Sequence, residues 1–200
     1  MEEPFAGLKL SPHTSLRAIH TSAAGRVPCP RCHKTRLMYC YTCCCALDAA
    51  PAPHVALPLH ADLWHHRTEH RQKSTALHAR ILAPDDTTLV EYPAEAAACA
   101  YGAETVLLYP SPASVAVADM PDELVARVER VVVIDSQWQK TGGMLAHPAL
   151  RGLQHVRIQG ARTAFWRHQS HGPEYLSTIE ALYWFMREFS EARSGGKYDG

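Results

Sequence analysis

The hydrophobic pattern of this chain alternates between segments typical of strands and segments typical of helices. Apolar runs bounded by turn residues predict strands at residues 88–92, 105–109, 131–134 and 153–158. Helical spacing and capping residues predict helices at residues 74–82, 119–130 and from 177 onward. Because strands and helices alternate, we expect an α/β fold in which a mostly parallel sheet is flanked by helices.

The remaining segments differ in character. Residues 54–59 predict a short strand, residues 60–73 are so polar that we predict a functional loop, and the alanine-rich residues 93–101 predict a short helix closed by Gly102. We therefore divide the chain into a loosely ordered segment at 1–25, a cysteine-rich element at 26–48, a main domain at 49–192 and a flexible Gly-rich tail at 193–200.

Composition favours a folded protein outside the membrane. Hydrophobic residues make up 46% of the 200 positions, which is enough for a packed core. No apolar run approaches the length that spans a bilayer, and the acidic start of the chain is unlike a signal peptide. We expect a soluble protein of the nucleus or the cytoplasm, and the sequence indicates no obligate protein partner.

The formal net charge is zero, but the charges are distributed unevenly along the chain. Residues 1–80 carry a net charge of +5, residues 81–150 of −7 and residues 151–200 of +2. Two basic ends that converge on one face would suit a nucleic-acid partner, which the overall charge by itself does not favour.

Six of the seven cysteines lie within residues 29–45. Two Cys-x-x-Cys pairs can direct four thiolates at one tetrahedral Zn²⁺, and four protein ligands indicate a structural site. Without a signal peptide, a metal site explains this density better than disulfides. The candidate ligands are Cys29, Cys32, Cys40 and Cys43, although Cys44 and Cys45 follow directly and leave the fourth ligand open.

The clearest strand of the sequence ends on an acid. Residues 131–134 are β-branched and lead to Asp135, and Trp138 follows three residues later. This order puts an ionised group and an aromatic ring at the carboxyl end of a strand, where open α/β sheets bind ligands. An Asp here is also an ordinary turn residue, and Trp138 an ordinary core aromatic, so the pattern alone leaves both explanations open.

A basic segment at residues 151–171 contains arginines, aromatics and histidines but no acid. Cations interleaved with aromatics suit phosphate contact and base stacking. A solvated strand face with two core aromatics would have the same composition. The candidates for nucleic-acid contact in this segment are Arg157, Arg162, Trp166 and Arg167.

Two predicted helix starts carry further candidates. Ser177 and Glu180 have the spacing of a capping box, which accounts for both residues, although a helix N-terminus also suits an anionic ligand group. Lys73, Ser74 and Thr75 open the helix at 74–82, where hydroxyls bind a phosphate or simply cap the helix.

Taken together, these motifs resemble the DTW family. The family's Asp-x-Thr-Trp signature corresponds to residues 135–138, where Gln137 replaces the Thr. Its Leu-Tyr-Pro turn, its Ser-Thr-Ile-Glu-Ala signature and its N-terminal Cys-x-x-Cys element are also present. Its His-Pro-x-Glu stretch corresponds to residues 66–69, with Arg67 in the position of the Pro. The motifs occur in the family's order over most of residues 27–189.

The resemblance implies an activity, a cofactor, a substrate and a fold. DTW proteins are tRNA-uridine aminocarboxypropyltransferases that use S-adenosylmethionine. The expected reaction moves the 3-amino-3-carboxypropyl group to N3 of a tRNA uridine, here one in the D-loop, and releases methylthioadenosine. The implied relation to the SPOUT class predicts a SPOUT-like sheet, whose trefoil knot nothing in the periodicity demonstrates.

The resemblance also implies roles for individual residues. Asp135 is expected to be the base or the anchor for the uracil N3–H, and Trp138 to stack on a base or on adenine. Glu180 is expected to hold the cofactor's ammonium group. The expected cofactor-binding residues are Leu108, Tyr109, Pro110, Ser136, Gln137, Ser177 and Thr178. Lys73, Ser74 and Thr75 join the four basic-segment candidates as expected tRNA contacts.

Two alternatives stay open from the sequence. A sister family with related motifs transfers the same group to ribosomal RNA. A non-catalytic zinc-ribbon adaptor that binds RNA would also fit, since the signature Thr is replaced by Gln137.

Overall fold

The computed structural model describes residues 26–47, 52–165 and 172–196. The predicted segment at 1–25, residues 197–200 of the predicted tail, and the candidates Trp166 and Arg167 lie outside the described residues. Residues 26–47 form a small element of two antiparallel pairs. These are β1 (Val27–Pro28) with β2 (Thr35–Arg36), and β3 (Tyr39–Cys40) with β4 (Cys45–Ala46).

The main domain is built on a six-stranded sheet whose neighbouring strands all pair in parallel. Its strands are β5 (His60–His66), β6 (Thr87–Tyr92), β7 (Thr105–Leu108), β8 (Val115–Ala116), β9 (Arg130–Asp135) and β10 (Gln154–Arg157). They lie in the order β6-β5-β9-β7-β10-β8. The two central strands β7 and β9 are rich in buried Val and Leu because helices cover both faces of a parallel sheet. The predicted α/β class is confirmed.

Helices and single 3₁₀ turns cover the two faces of the sheet. The described residues include the helices α1 (Ala76–Leu82), α2 (Asp122–Arg127), α3 (Thr141–Leu145) and α4 (Thr178–Ser194). The 3₁₀ turns lie at Ala96–Ala98, Val117–Asp119, Trp138–Lys140 and Pro148–Leu150. α1, α2 and α4 share one core with the sheet, and α3 contributes to the core on the opposite face. Within the described residues, no helix combines the length and apolarity needed to cross a bilayer.

The prediction of a loop at residues 60–73 was wrong for its first half, because β5 is a central strand. Its polar residues are compatible with burial because they are paired. Arg130 and the Tyr101 hydroxyl both donate to the carboxylate of Asp62, at 2.7 and 2.8 Å. The Trp64 indole donates to the same Tyr101 hydroxyl at 2.9 Å. A count of polar residues cannot distinguish a solvated loop from a buried strand whose polar groups have partners.

Three other local predictions differ from the structure. Residues 54–59 form no strand, and residues 93–101 contain only the 3₁₀ turn at Ala96–Ala98. The helix predicted from Asp119 begins at Asp122 instead, because the Val117–Asp119 turn and Pro121 precede it, and the chain enters β9 at Arg130. The last helix begins after its capping residue as predicted, and it ends at Ser194 because Gly195 follows with a φ of 67° that favours glycine.

Candidate functional site

A cleft of about 600 Å³ lies at the carboxyl edge of the sheet. The ends of β7, β9 and β10 form its floor, and the residues just before α4 form one wall. Its volume is within the range of small-molecule sites, and its position is the one where open α/β sheets bind ligands.

Aromatic rings line this cleft around Trp138. The Trp138 ring meets Tyr175 edge-on at 5.1 Å between centroids, and it meets Tyr109 at 6.0 Å. The Thr141 hydroxyl donates to the Trp138 carbonyl at 2.9 Å and lies 3.2 Å from the Tyr109 hydroxyl. Since Thr141 uses its proton on the carbonyl, Tyr109 is the donor to Thr141. Through Thr141, these bonds connect the Tyr109 ring to the backbone of the Trp138 turn.

Asp135 lies directly beneath the cleft but does not line it, and it is only 3% exposed. Its Oδ2 accepts a hydrogen bond from the Ser74 hydroxyl at 2.7 Å and lies 2.6 Å from Nδ1 of His65. Its Oδ1 accepts from the Thr178 hydroxyl at 2.8 Å. Both carboxylate oxygens therefore have partners within the protein, which offsets the cost of burying the charge. Thr178 connects Asp135 to the cleft, because Thr178 lines it.

The starts of two helices converge on Asp135. Ser74 lies just before α1, and Thr178 is the first residue of α4. The hydroxyl of Thr75 accepts the Ile179 backbone N–H at 3.2 Å and so connects the two helix starts. The positive ends of both helices lie near a negative charge, which is the favourable orientation.

The buried imidazole of His65 is part of the same network, with 1% of its surface exposed. Burial lowers the pKa of His65, but the hydrogen bond and the charge of Asp135 raise it, and the pKa lies above its ordinary value. Nδ1 is the proton donor in this pair, because the Asp135 carboxylate can only accept.

The four predicted metal ligands lie together in the cysteine-rich element. The Sγ atoms of Cys29, Cys32, Cys40 and Cys43 all lie within 4.8 Å of one another, so they could hold a metal ion. Tetrahedral Zn–S bonds of about 2.3 Å imply sulfur separations of about 3.8 Å. The Sγ atoms of Cys32 and Cys40 are 3.6 Å apart, which fits this geometry.

Comparison with known proteins identifies the family of this chain. A family model described as DTW domain matches residues 28–199. The chain belongs to the DTW domain family. The mouse protein named tRNA-uridine aminocarboxypropyltransferase 1 is 33% identical over 242 residues, covering 100% of this chain and 79% of its own length. Proteins of the same name from Xenopus laevis and Homo sapiens are 34% and 29% identical, covering 91% and 100% of this chain and 76% and 79% of their own lengths. No solved structure matches the chain.

The DTW cleft contains most, but not all, of the residues predicted to bind the cofactor. Gln137, at the signature Thr position, is exposed and does not line the cleft. Arg157, predicted as an RNA contact, does line it, and its guanidinium donates to the Ser114 carbonyl. The predicted residues in the cleft are Leu108, Tyr109, Pro110, Ser136, Trp138 and Thr178.

The carboxylate of Glu180 caps α4 and also accepts hydrogen bonds from the segment at residues 163–164. It accepts hydrogen bonds from the backbone N–H and the hydroxyl of Ser177, both at 2.8 Å. It also accepts from the Thr163 hydroxyl at 2.9 Å and from the Ala164 N–H at 2.8 Å. Glu180 is 9% exposed and does not line the cleft, so it stabilises the wall of the DTW site from behind.

The residues predicted to contact RNA differ in their exposure to solvent. Ser74 and Thr75 are buried and bond to Asp135 and α4, whereas Lys73 and Arg162 are exposed. Sequence reasoning missed several cleft residues: Thr141, Ile158, Gly160, Glu174, Tyr175 and Leu176. No local pattern marks them, because they reach the cleft only when the loops after β9 and β10 meet the segment before α4.

Proposed function

We propose that this chain is a tRNA-uridine aminocarboxypropyltransferase that takes its group from S-adenosylmethionine and transfers it to N3 of a D-loop uridine. The observation that carries the proposal is the aromatic cleft at the carboxyl edge of the sheet, formed by the motifs of the DTW family. The similarity to proteins named tRNA-uridine aminocarboxypropyltransferase 1 supports the same substrate class.

The charges and rings of the cleft suit S-adenosylmethionine. Its sulfonium is a cation, and cations are attracted to the faces of aromatic rings such as Trp138, Tyr109 and Tyr175. Its amino-acid end carries a carboxylate and an ammonium group. Arg157 could pair with the carboxylate and Glu174 with the ammonium, since both side chains line the cleft.

The reaction requires little covalent participation by the protein. When bound, S-adenosylmethionine supplies an activated carbon next to the sulfonium. The N3–Cγ bond forms while the Cγ–S bond breaks with its electron pair on sulfur, so methylthioadenosine leaves and the N3 proton goes to a base or to solvent. The protein's contribution is mainly the orientation of the two substrates and the exclusion of water. We therefore expect the Trp138 ring and the Thr178 hydroxyl, which line the cleft, to affect the rate most.

We assign Asp135 a positioning role rather than that of a base that touches uracil. Its burial and its three hydrogen-bond partners leave no side-chain oxygen facing the cleft. It acts through Thr178, which it orients, and through Trp138, three residues further along the chain. In this proposal Asp135 supports the site from below and is neither the base nor the anchor of the uracil N3–H. Glu180 has a similar supporting role behind the wall.

We also propose that the four cysteines hold a structural Zn²⁺. Four thiolates at this spacing form a closed site without an open position for substrate, which is typical of structural zinc.

The test is to incubate the purified protein with unmodified tRNA and S-adenosylmethionine and to identify both products by mass spectrometry. We expect aminocarboxypropyl-uridine in the D-loop fragment of a nuclease digest, together with an equal amount of methylthioadenosine. Trp138→Ala should reduce both products at least tenfold, since it removes the central ring of the cleft.

Each alternative outcome would overturn a different part of the proposed function. S-adenosylhomocysteine would mean methyl transfer and would overturn the proposed chemistry. Modified uridine outside the D-loop would overturn only the position. No product from several tRNAs, but modification of ribosomal RNA, would overturn the substrate assignment. No product from any RNA by zinc-loaded protein would favour a non-catalytic adaptor.

A further inference from the structure

A patch of two cations and one histidine lies beside the Trp138 turn of the cleft, on the side of β5. It consists of Arg67, Lys140 and His66, and we call it the rim patch. Arg67 follows the last residue of β5, and Lys140 ends the 3₁₀ turn that begins at Trp138. Both Trp138 and Thr141, on either side of Lys140 in the chain, line the cleft. The rim patch therefore lies beside the turn that lines the cleft, and none of its three residues encloses the cleft.

Hydrogen bonds hold the rim patch together. The Lys140 ammonium donates to the Thr68 hydroxyl at 2.6 Å, and that hydroxyl lies 2.9 Å from Nδ1 of His66. The Thr68 backbone N–H donates to the same ring nitrogen at 3.2 Å, so this nitrogen carries no proton. An ammonium group has three donors, and only one is used by Thr68. Lys140 is thus tethered across the two loops and keeps donors for a further acceptor.

The positive charge of the rim patch is not neutralised locally. Among the residues that the structure describes, the guanidinium of Arg67 has no hydrogen-bond or ion-pair partner, and Arg67 is exposed. Glu69 in the same loop forms no ion pair with Arg67 or Lys140 within these described parts. Residues 136–173 contain no acid at all. The nearby Glu91 carboxylate is already paired, with Arg71.

Burial and the same positive charges lower the pKa of His66. The larger effect is burial, and the charges of Lys140 and Arg67 lower the pKa further. The surroundings of His66 are thus positive, which favours an anion there.

We infer that the rim patch binds the RNA phosphodiester next to the uridine that enters the cleft. This inference rests on the proposed function and names the part of the substrate held at this edge. A uridine whose base is inserted in the cleft must leave its backbone outside the residues that enclose it. The turn that carries Lys140 borders the cleft through Trp138 and Thr141, so the rim patch is next to that backbone. Arg157 is placed differently from the rim patch, because it lines the cleft itself, where it would pair with the cofactor's carboxylate.

The experiment measures binding of an unmodified tRNA transcript by fluorescence anisotropy over a series of salt concentrations. Arg67→Ala and Lys140→Met should each weaken binding roughly three- to tenfold and lower the slope of log K against log salt by about 0.7–0.9. The double variant should lose about twice that slope. S-adenosylmethionine affinity, measured by calorimetry, should not change, which shows that the Trp138 turn is intact.

Two matched variants distinguish phosphate contact from general effects. Arg127→Ala removes an exposed cation at the end of α2, near the start of β9 and therefore at the opposite edge of the sheet, and should leave the affinity and slope unchanged. Thr68→Val removes the tether of Lys140 without changing charge, so affinity should fall less than in Lys140→Met.

Equal losses in Arg127→Ala and in the rim variants would overturn the inference, as would unchanged salt slopes in the rim variants. Because binding is measured without turnover, the two proposals fail separately. A protein that binds tRNA through the rim patch but forms no modified uridine contradicts the proposed function alone. A protein that forms the product while both rim variants bind tRNA normally contradicts the rim patch alone.

Discussion

Asp135 joins β5, β9, α1 and α4 through one carboxylate. Its partners His65, Ser74 and Thr178 come from three different parts of the chain. A buried charge that loses part of its hydrogen bonding is costly, so this residue is as important for the shape of the cleft as for any chemistry.

Asp135→Asn tests whether Asp135 positions the site or accepts a proton. The Asn amide keeps the shape, but it loses the charge that pairs with His65 and one of the accepting oxygens. We expect the free energy of unfolding in urea to fall by about 2–4 kcal/mol. S-adenosylmethionine affinity should fall as well. Normal stability and cofactor affinity with lost turnover would instead identify Asp135 as the base. Asp119→Asn, at an exposed carboxylate, is the control.

Glu188 predicts a pH-dependent stability. Burial raises the pKa of Glu188 to about 7, against an opposing hydrogen bond from the Gln159 N–H, and its Oε2 is buried without a partner among the described residues. A carboxyl whose pKa is raised in the folded state contributes stability below pH 4.5 that is lost as the pH rises through about 7.

Glu188→Gln should therefore stabilise the protein at high pH. Gln resembles the protonated acid, so we expect a gain of roughly 1–2 kcal/mol near pH 8 and almost none near pH 5. Thermal unfolding at both pH values measures the difference. Glu123→Gln, at an exposed position of α2, should show no such pH-dependent gain. A gain of equal size at both pH values would contradict the assignment.

At the scale of elements, the cysteine-rich element is attached to the segment that holds Asp135. The Arg71 guanidinium donates to the carbonyls of Tyr41 and Thr42, at 3.3 and 3.1 Å, and pairs with Glu91 at the end of β6. Ser74, three residues later, donates to Asp135. The cysteine-rich element and the cleft are therefore connected by one short segment.

If the four cysteines hold Zn²⁺ as proposed, its removal should weaken cofactor binding even though no cysteine lines the described cleft. Without the metal, the turn at residues 40–43 loses its order, and Arg71 and Ser74 lose their fixed positions. We expect a lower melting temperature and weaker S-adenosylmethionine binding after chelation, both restored by Zn²⁺. Cys40→Ser should behave like the chelated protein, and Cys99→Ser like wild type. Unchanged cofactor affinity in protein verified as metal-free would contradict this connection.

At the scale of the whole molecule, the site is assembled at one edge of the sheet. Parallel strands have their carboxyl ends at the same edge, so the loops after β7, β9 and β10 meet there. A ligand that bridges these loops binds the folded state alone and should stabilise the entire domain.

S-adenosylmethionine should therefore raise the melting temperature. At a concentration of about 100 times its Kd the gain is about 2.7 kcal/mol, or roughly 5–10 °C for a chain of this length. Trp138→Ala should lose most of this shift, whereas Gln137→Ala should keep it, because Gln137 does not line the cleft. An equal shift in Trp138→Ala and wild type would contradict the aromatic site. Differential scanning calorimetry measures all three.

Local patterns were sufficient to predict the α/β class, the apolar strands β7 and β9, the capping box of α4 and the cluster of four cysteines. Each of these depends on residues close together in the chain, where periodicity and spacing act directly. They also indicated Asp135 and Trp138 correctly as residues at the carboxyl edge of the sheet.

Only the tertiary structure decided what these residues contact. Asp135 and His65 are 70 residues apart in the chain, and Asp135 and Thr178 are 43 apart. β5 was predicted as a loop because its side chains are polar, but in the fold those side chains have partners from distant segments. Glu174 and Tyr175 reach the cleft through loop packing. The sequence by itself thus determined which elements form, since hydrophobic burial follows local spacing. Strand order and loop closure decided which polar groups meet, because those contacts join residues that have no common local pattern.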